Sequence, residues 1–186
     1  MSKHLSLVRS ARMAAIDQET IAAGTPGHEL MCRAGAGVWA AAVDHFAFQP
    51  DTKTLFLCGK GNNGGDGFVA ATIAKSAGYD PTIILFADVQ DVTGDALYHL
   101  NRARDAGVDL HTFAEYGTTG FEQSLTSADV LFDCLLGTGT SGAPRPPLDR
   151  AIAALREFQG RIIAVDTPSG MDPDTGEGLA ADAHLT

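Results

Sequence analysis

Three segments of the chain combine glycines with acidic, amide and hydroxyl side chains, and each follows or ends a short apolar run. They are GKGNNGGDG at residues 59–67, DCLLGTGTSGAPRPP at residues 133–147 and DTPSGMDPDTG at residues 166–176. Glycine-rich turns let a backbone approach a ligand closely, and carboxylates supply acid–base chemistry or oxygen ligands for a cation. Three such segments in one chain indicate a ligand site built from several loops.

The first segment has the spacing of a dinucleotide-binding loop. Gly59, Gly61 and Gly64 spell G-x-G-x-x-G after an apolar run and before a helical pattern. We expect these glycines to allow turns with positive φ, and the following helix to offer its N–H groups to phosphate. A Walker P-loop is excluded because Lys60 comes too early in the motif.

Two other interpretations of this segment stay open. The glycines could form a tight turn that binds no ligand. A nicotinamide-dependent dehydrogenase is another interpretation, because Asp88 follows the second apolar run near the position of a ribose-binding acid. Against the dehydrogenase, Asp66 would place a negative charge near a bound pyrophosphate, and the other two segments would have no role.

The second and third segments place carboxylates in or at the end of apolar runs. Asp133 lies within VLFDCLL, where an uncompensated carboxylate would be costly, and Asp166 ends RIIAVD. Each could cap nearby backbone N–H groups, or could bind a ligand or a cation. Oxygen atoms of Asn63, Asp133 and Ser169 would suit a hard cation, and the residues do not choose among such cations. Ser169 is not expected to be a hydrolase nucleophile, because the G-x-S-x-G elbow is missing.

Composition limits the classes of partner. The 186 residues carry a formal net charge of -10, which opposes nonspecific binding to nucleic acid. No apolar run approaches the roughly 18 to 20 residues that span a bilayer, and the amino terminus has no signal-peptide pattern. Cys32, Cys58 and Cys134 lack the spacing of a disulfide framework or a zinc site, which favours a reducing cytoplasm.

Alternating strands and helices must position the three segments. Two leading helices are followed by five apolar runs, TLFLCG, PTIILFA, VDLHTF, ADVLFDCLL and RIIAVD, with helical patterns between them. We therefore expect one domain over residues 1–186, an α/β three-layer αβα Rossmann-like sandwich with a mostly parallel sheet. Ligands of such sheets bind beyond the carboxyl ends of the strands. The final ADAHLT predicts the start of a further strand, so the C-terminal edge is either truncated or unusually short.

Taken together, GNNGGDGFVAA, the LLGTG after Asp133, and DTPSG resemble the YjeF N-terminal domain family, the NAD(P)H-hydrate epimerases. The resemblance runs from about Arg12 to Thr186, and AGTPGHELMCRAG also looks like the family's amino-terminal segment. Two departures are visible. Thr167 stands where the family usually has Ile or Val, and TSGAPRPPL follows the family only loosely. The family's domain also normally continues beyond this point with another strand.

The resemblance implies a substrate site and a cation site. A potassium ion would be held by Asn63, Asp133 and Ser169. Two carboxylates on adjacent loops suggest an acid/base, for which Asp166 is the first candidate and Asp66 the second. The residues implied to contact a hydrated dinucleotide are Asn62, Asn63, Gly64, Gly65, Asp66, Gly137, Thr138, Gly139, Thr140, Ser141, Gly142, Ala143 and Asp166.

The activity implied by the resemblance is interconversion of the R and S forms of hydrated NADH or NADPH, a repair reaction that feeds a separate dehydratase. We expect the ring nitrogen to expel the hydroxyl as water, after which water returns to the other face. The family also implies a homodimer through the two leading helices. A non-catalytic nucleotide-binding or assembly module of the same fold stays an alternative, as does the dehydrogenase. Nothing in the sequence chooses between NADH and NADPH hydrate.

Overall fold

The computed structural model describes residues 8–139 and 143–186, and a five-stranded sheet forms its centre. The strands are β1 (Thr54–Cys58), β2 (Thr82–Leu85), β3 (Asp109–Thr112), β4 (Val130–Cys134) and β5 (Arg161–Ala164). Their spatial order is β3-β2-β1-β4-β5, and all neighbours are parallel. The order reverses between β1 and β4, which is the switch point at which open parallel sheets bind ligands.

Six helices connect and precede the strands. They are α1 (Ser10–Ala22), α2 (Gly27–Phe46), α3 (Asn62–Ser76), α4 (Gly94–Asp105), α5 (Phe113–Ser127) and α6 (Leu148–Glu157). The Thr112 hydroxyl caps the start of α5 by accepting the N–H of Glu115 at 3.2 Å, and the helix is kinked at Gly117, whose φ of 70° and ψ of 174° are not helical. Among the described residues no helix has the length and apolar character needed to cross a membrane.

The helices cover both faces of the sheet. Side chains of a strand alternate between the faces, so Phe56 and Phe132 pack with α2, α3 and α4, while Leu57 and Leu131 pack with α5 and α6. Burial on both faces explains why the strands read as continuous apolar runs. The expected three-layer αβα sandwich with a parallel sheet is confirmed.

The glycines of the first segment have a different role from the expected one. Helix α3 begins at Asn62, so Gly64 and Gly67 lie in its first turns, and neither has a positive φ. A side chain would not fit at either position. A Cβ on Gly64 would collide with the carbonyl oxygen of Gly59, and one on Gly67 would lie 2.7 Å from Cys134 Sγ. The expectation of positive φ was wrong, and the glycines instead let α3 lie directly against the ends of β1 and β4.

The C-terminal residues begin a fifth parallel pairing, on the outer side of β5. Leu185 bridges to Ile163, the N–H of Ala164 donates to the Leu185 carbonyl at 2.9 Å, and the N–H of His184 donates to the Ile162 carbonyl at 2.8 Å. The strand start expected at ADAHLT is therefore present.

Candidate active site

A buried carboxylate lies at the switch point. Asp133 of β4 is 2% exposed. The Ser169 N–H donates to Asp133 Oδ2 at 2.7 Å, the Ser169 hydroxyl donates to Oδ1 at 2.6 Å, and the Leu135 N–H donates to Oδ1 at 3.3 Å. Burial raises the pKa of Asp133 to about 6, and the three hydrogen bonds oppose that rise because they favour the charged form. The loops after β4 and β5 are thus joined through one carboxylate.

Asn63 adds an unpaired oxygen beside this carboxylate. Its Nδ2 donates to the carbonyl oxygen of Leu136 at 3.0 Å, and the Leu136 N–H donates to Ser169 Oγ at 2.9 Å. Asn63 is 8% exposed, and its Oδ1 has no hydrogen-bond partner among the described residues. A buried oxygen without a partner destabilises the fold unless something else binds it.

The oxygen atoms around Asn63 fit a hard cation. Asn63 joins a hydrogen-bonded network with Leu136, Ser169 and the Asp133 carboxylate through its Nδ2, and its unpaired Oδ1 is an additional oxygen at this network. Residues 8–139 and 143–186 contain no group of three His, Cys, Asp or Glu side chains suited to a metal ion. A cation bound here would therefore be held mainly by neutral oxygens and one carboxylate, which excludes the chemistry of a thiolate or imidazole site.

Asp166 stands at the carboxyl end of β5 in an unusual backbone conformation. Its φ is 67°, a left-handed value that aspartate tolerates better than most residues. The exposed side chain turns toward the loop after β4, and its Oδ2 accepts the N–H of Thr138 at 2.7 Å. A Cβ on the neighbouring Gly137 would lie 2.6 Å from Asp166 Oδ2. Strained backbone of this kind clusters at ligand sites.

Asp66 of α3 is the second carboxyl group at this edge, and its proton affinity is unusual. Its pKa rises from the ordinary 3.8 to about 7, first because the group is buried and then because Asp166 and Asp17 add negative charge nearby. Near neutral pH a protonated Asp66 therefore lies within electrostatic reach of the carboxylate of Asp166. A carboxyl group that holds a proton near neutral pH can serve as a general acid, and a second carboxyl group beside it can take part in the return transfer.

A cavity of about 290 Å³ opens beside Gly137 and Ser169, and neither Asp66 nor Asp166 is part of its wall. It lies between the loop after β4 and the segment after β5, and its walls include Gly137, Pro168, Ser169, Met171 and Leu179. The cavity is at the same edge of the sheet as the two carboxyl groups, so a ligand at the switch point could extend into it.

One protein family covers most of this chain. The model of the family described as YjeF-related protein N-terminus matches residues 27–186. The chain belongs to this family. The match includes every strand and α2 to α6, and it contains Asn63, Asp66, Asp133, Asp166 and Ser169. The expectation from the sequence motifs is thereby confirmed at the level of the family.

Curated relatives align with this YjeF N-terminal domain over most of its length. It is 33% identical over 183 residues to the bifunctional NAD(P)H-hydrate repair enzyme Nnr of Coxiella burnetii, covering 97% of the chain and 36% of the relative. It is 37% identical over 152 residues to the NAD(P)H-hydrate epimerase of Rhodopirellula baltica, covering 82% of the chain and 60% of the relative. The chain thus spans only part of the length of these relatives.

A solved structure agrees with the fold. The crystal structure of yeast ynu0, YNL200c, superposes with a TM-score of 0.86 at 25% sequence identity, covering 96% of this chain and 78% of the yeast chain. The agreement extends over the sheet and its helices, so the architecture of the YjeF N-terminal domain is shared by both proteins.

The structure brings together most of the residues predicted to form the site, at different depths. Asn62 is exposed at the start of α3 and can contact a ligand directly. Gly64 and Gly65 are buried and have no side chain, so any contact they make is through the backbone. Thr138 is half-buried, and Gly139 and Ala143 are exposed. Substrate contact by these residues stays a prediction. Outside the described residues lie Thr140, Ser141 and Gly142.

Two features of the site escaped the sequence analysis. The carbonyl oxygen of Leu136 is a backbone atom, so the residue type at position 136 does not indicate that it takes part in the site. Asp17 belongs to α1, and its effect on Asp66 depends on how that helix crosses the sheet edge. Asp17 is spaced four residues from both Met13 and Ile21, which places the three side chains on one face of a helix. This spacing is equally typical of a solvated helix, so it did not identify Asp17 as part of the site.

Proposed function

We propose that this YjeF N-terminal domain is an NAD(P)H-hydrate epimerase that interconverts the R and S forms of hydrated NADH or NADPH. The observation that carries the proposal is the pair Asp66 and Asp166 at the switch point, in which one carboxyl group has a pKa of about 7. The names of the relatives support the substrate class. Relatives from Rhodopirellula baltica and, at 35% identity, Pirellula staleyi are both named NAD(P)H-hydrate epimerase.

The proposed reaction needs a proton donor and a negative group that stabilises a cation. In the hydrate, the hydroxyl-bearing ring carbon is bonded to the ring nitrogen. The nitrogen lone pair forms a C=N bond as the C–O bond breaks, and the hydroxyl takes a proton and leaves as water. Water then adds to the other face of the iminium ion, and loss of one proton from it gives the opposite epimer. The proton taken up in the first half of the reaction is released in the second.

We assign the two proton-transfer roles from the difference between the carboxyl groups. Asp66 is the proton donor, because its pKa of about 7 leaves a protonated fraction at neutral pH. Asp166 is the carboxylate that stabilises the iminium ion and accepts the proton of the returning water. The Thr138 N–H holds the Asp166 carboxylate in place at 2.7 Å. This division departs from the sequence-based hypothesis, which prefers Asp166 for both roles.

We also propose that Asn63, Asp133 and Ser169 hold a potassium ion. The support is the unpaired Oδ1 of Asn63 in a network with one buried carboxylate. A monovalent cation would balance the single charge of Asp133, whereas a divalent ion would leave a net charge in the interior. When bound, the ion would supply positive charge near the loops that face the substrate's pyrophosphate.

Three further proposals concern the surroundings of the enzyme. The named relatives include bifunctional repair enzymes, which supports coupling of this activity to an NAD(P)H-hydrate dehydratase. The three cysteines are free, which supports a reducing compartment such as the cytoplasm. A homodimer through α1 and α2 stays a prediction, and light scattering coupled to gel filtration would measure it.

The decisive experiment supplies the chain with the hydrate epimer that a dehydratase rejects. Purified chain and an epimer-specific dehydratase are mixed with that epimer, and recovery of NADH absorbance is followed. We expect recovery faster than spontaneous epimerisation, and its rate should rise in proportion to the concentration of the chain. A rate equal to the spontaneous one would overturn the proposal and favour a binding module. Hydride transfer from NADH to a carbonyl compound would instead identify a dehydrogenase.

A matched pair of variants ties the rate to the assigned carboxylate. Asp166→Asn keeps a side-chain oxygen for the Thr138 N–H and a residue type that tolerates positive φ, but removes the charge. We expect it to lower kcat by a factor on the order of 100 or more. Asp44→Asn, at an exposed position of α2, is the control and should keep the wild-type rate. Full activity of Asp166→Asn would contradict the assignment.

A further inference from the structure

Helix α1 and the start of α2 make contacts on opposite sides of the candidate site. At the start of α1, Asp174 Oδ1 accepts the N–H of Ser10 at 3.1 Å and the Ser10 hydroxyl at 3.3 Å. Asp174 belongs to the segment after β5. Past the other end of α1, the first residue of α2, Gly27, lies against the side chain of Asp95 at the start of α4. Helix α4 follows β2, so the two anchors lie on either side of the switch point.

The length of α1 agrees with a crossing of the sheet edge. In the order β2-β1-β4-β5 the anchors are three strand spacings apart, or roughly 14 Å. The 13 residues of α1 extend for about 20 Å. Both anchors follow carboxyl ends of parallel strands, so the helix passes over the carboxyl ends of β4 and β1. These are the strand ends that carry Asp133 and lead into α3.

One face of α1 carries an acid between two exposed apolar side chains. Ser10, Asp17 and Ile21 lie within about 40° of one another around the helix, and Met13 lies within about 60° of Ser10. Ser10 faces Asp174, which orients this face toward the sheet edge. Met13 and Ile21 are 41% and 46% exposed, and α1 contains no buried residue. The face is therefore not used for packing within the described chain.

We propose that α1 forms the roof of the substrate site, that Asp17 is a positioning residue facing the carboxyl group of Asp66, and that Met13 and Ile21 contact the bound dinucleotide. The inference rests on the proposed function, because it concerns the same substrate.

The charged groups around Asp66 are few enough to isolate the effect of Asp17. Besides Asp17, the carboxylate of Asp166 from the segment after β5 acts on Asp66. Cys134 of β4 is also within electrostatic reach, and its thiol is neutral because burial raises its pKa well above its ordinary value. Helix α2 packs against Asp66 through Gly35, which has no charge. A neutral residue at position 17 therefore removes one of two negative charges that act on Asp66.

The proposal is tested first by a titration that needs no activity. Carbon-13 spectra of aspartate-labelled protein follow the Asp66 carboxyl group, which is assigned by its disappearance in Asp66→Asn. We expect Asp17→Asn to lower the titration midpoint of Asp66 by about 0.5 on the pH scale, the effect of one partly screened charge. The control is Glu19→Gln, which removes a charge from the opposite face of α1, where Glu19 pairs with Arg12. An equal midpoint in Asp17→Asn and Glu19→Gln would overturn the proposal.

A second test concerns the apolar part of the roof. We expect Met13→Ser and Ile21→Ser each to raise KM for the hydrate by about 5-fold, from about 1 kcal/mol of lost apolar contact, while kcat stays unchanged. Ala11→Ser, at an exposed position about 160° around the helix from Met13, is the control. An unchanged KM, or loss of a dimer in place of a change in KM, would overturn the roof assignment. If the wild-type chain has no epimerase activity, the proposed function fails, while the Asp66 titration and the dissociation constant for NADH still test the roof.

Discussion

Ser169 donates two hydrogen bonds to the buried carboxylate of Asp133, one from its backbone N–H at 2.7 Å and one from its hydroxyl at 2.6 Å. The two residues lie 36 positions apart, Asp133 on β4 and Ser169 in the segment after β5. Hydrogen bonds to a charged group contribute more than those between neutral groups, and a buried acceptor that loses its donor retains its full desolvation penalty. The pair therefore links the stability of the fold to the geometry of the site.

Ser169→Ala should destabilise the chain by about 2 kcal/mol, because Asp133 loses the hydroxyl donor and keeps its burial. Urea unfolding at pH 7 measures the change. Ser127→Ala is a matched control, since its exposed hydroxyl bonds only to the Ser124 carbonyl, and it should change stability by less than about 0.5 kcal/mol. Equal stabilities of the two variants would show that the hydroxyl is dispensable to Asp133.

The elevated pKa of Asp66 makes a prediction about stability and pH. The folded chain binds the Asp66 proton with a pKa of about 7, whereas 3.8 is its ordinary value, taken here for the unfolded chain. Protonation of Asp66 therefore contributes its full stabilisation at pH values below the pKa of Asp66 in the unfolded chain. This contribution is lost as the pH rises through the pKa of Asp66 in the folded chain. Asp66 accordingly destabilises the neutral-pH fold relative to an uncharged residue.

Asp66→Asn should show its largest gain in stability at neutral and alkaline pH. The difference in unfolding free energy between variant and wild type should increase by at most about 2 kcal/mol from pH 5 to pH 7. Any effect of the amide that does not depend on pH cancels in this comparison. Urea unfolding at several pH values, with Asp44→Asn in an exposed position as control, measures it. A difference that is constant with pH would mean that Asp66 titrates normally.

Much of the site was predictable because parallel strands bring their carboxyl ends to one edge. The acid-rich segments after β1, β4 and β5 therefore lie at one edge of the sheet, and this does not depend on the lengths or the packing of the helices. The pairing of Asp133 with Ser169 follows the same logic, since their strands are neighbours. Strand and helix identities could be read from apolar runs that are buried on both faces of the sheet.

Other features depend on tertiary contacts that one sequence does not reveal. The glycines of the first segment look like turn residues, yet Gly64 and Gly67 are helical, because α3 approaches the strand ends too closely for a side chain. The start of α1 is held beside the segment after β5 by the bond of Ser10 to Asp174, a contact over 164 positions. The role of α1 in the charge environment of Asp66 could not be inferred from local pattern.

The oxygen set around Asn63 predicts a stabilising effect of potassium. A ligand that binds only the folded state raises the melting temperature, by about 3 °C per kcal/mol for a chain of this size. We expect a higher melting temperature in potassium chloride than in choline chloride of equal ionic strength. Asn63→Ala should abolish the difference, whereas Asn62→Ala, which is exposed, should preserve it. Equal melting temperatures of the wild type in both salts would count against a potassium site.

The closeness of Gly137 to Asp166 allows the position of the carboxylate to be tested without removing it. A Cβ at Gly137 would lie 2.6 Å from Asp166 Oδ2, so Gly137→Ala should displace this oxygen from the N–H of Thr138. Misplacement of a catalytic group by about 1 Å can lower a rate on the order of 100-fold, so we expect a loss of that size in kcat. The position of the Asp66 carboxyl group should stay the same. The control is Gly61→Ala, where a Cβ would meet no atom within 4 Å. If Gly137→Ala and Gly61→Ala retained the same kcat, the position of Asp166 would not limit the reaction, and its assignment as the base would have to be abandoned.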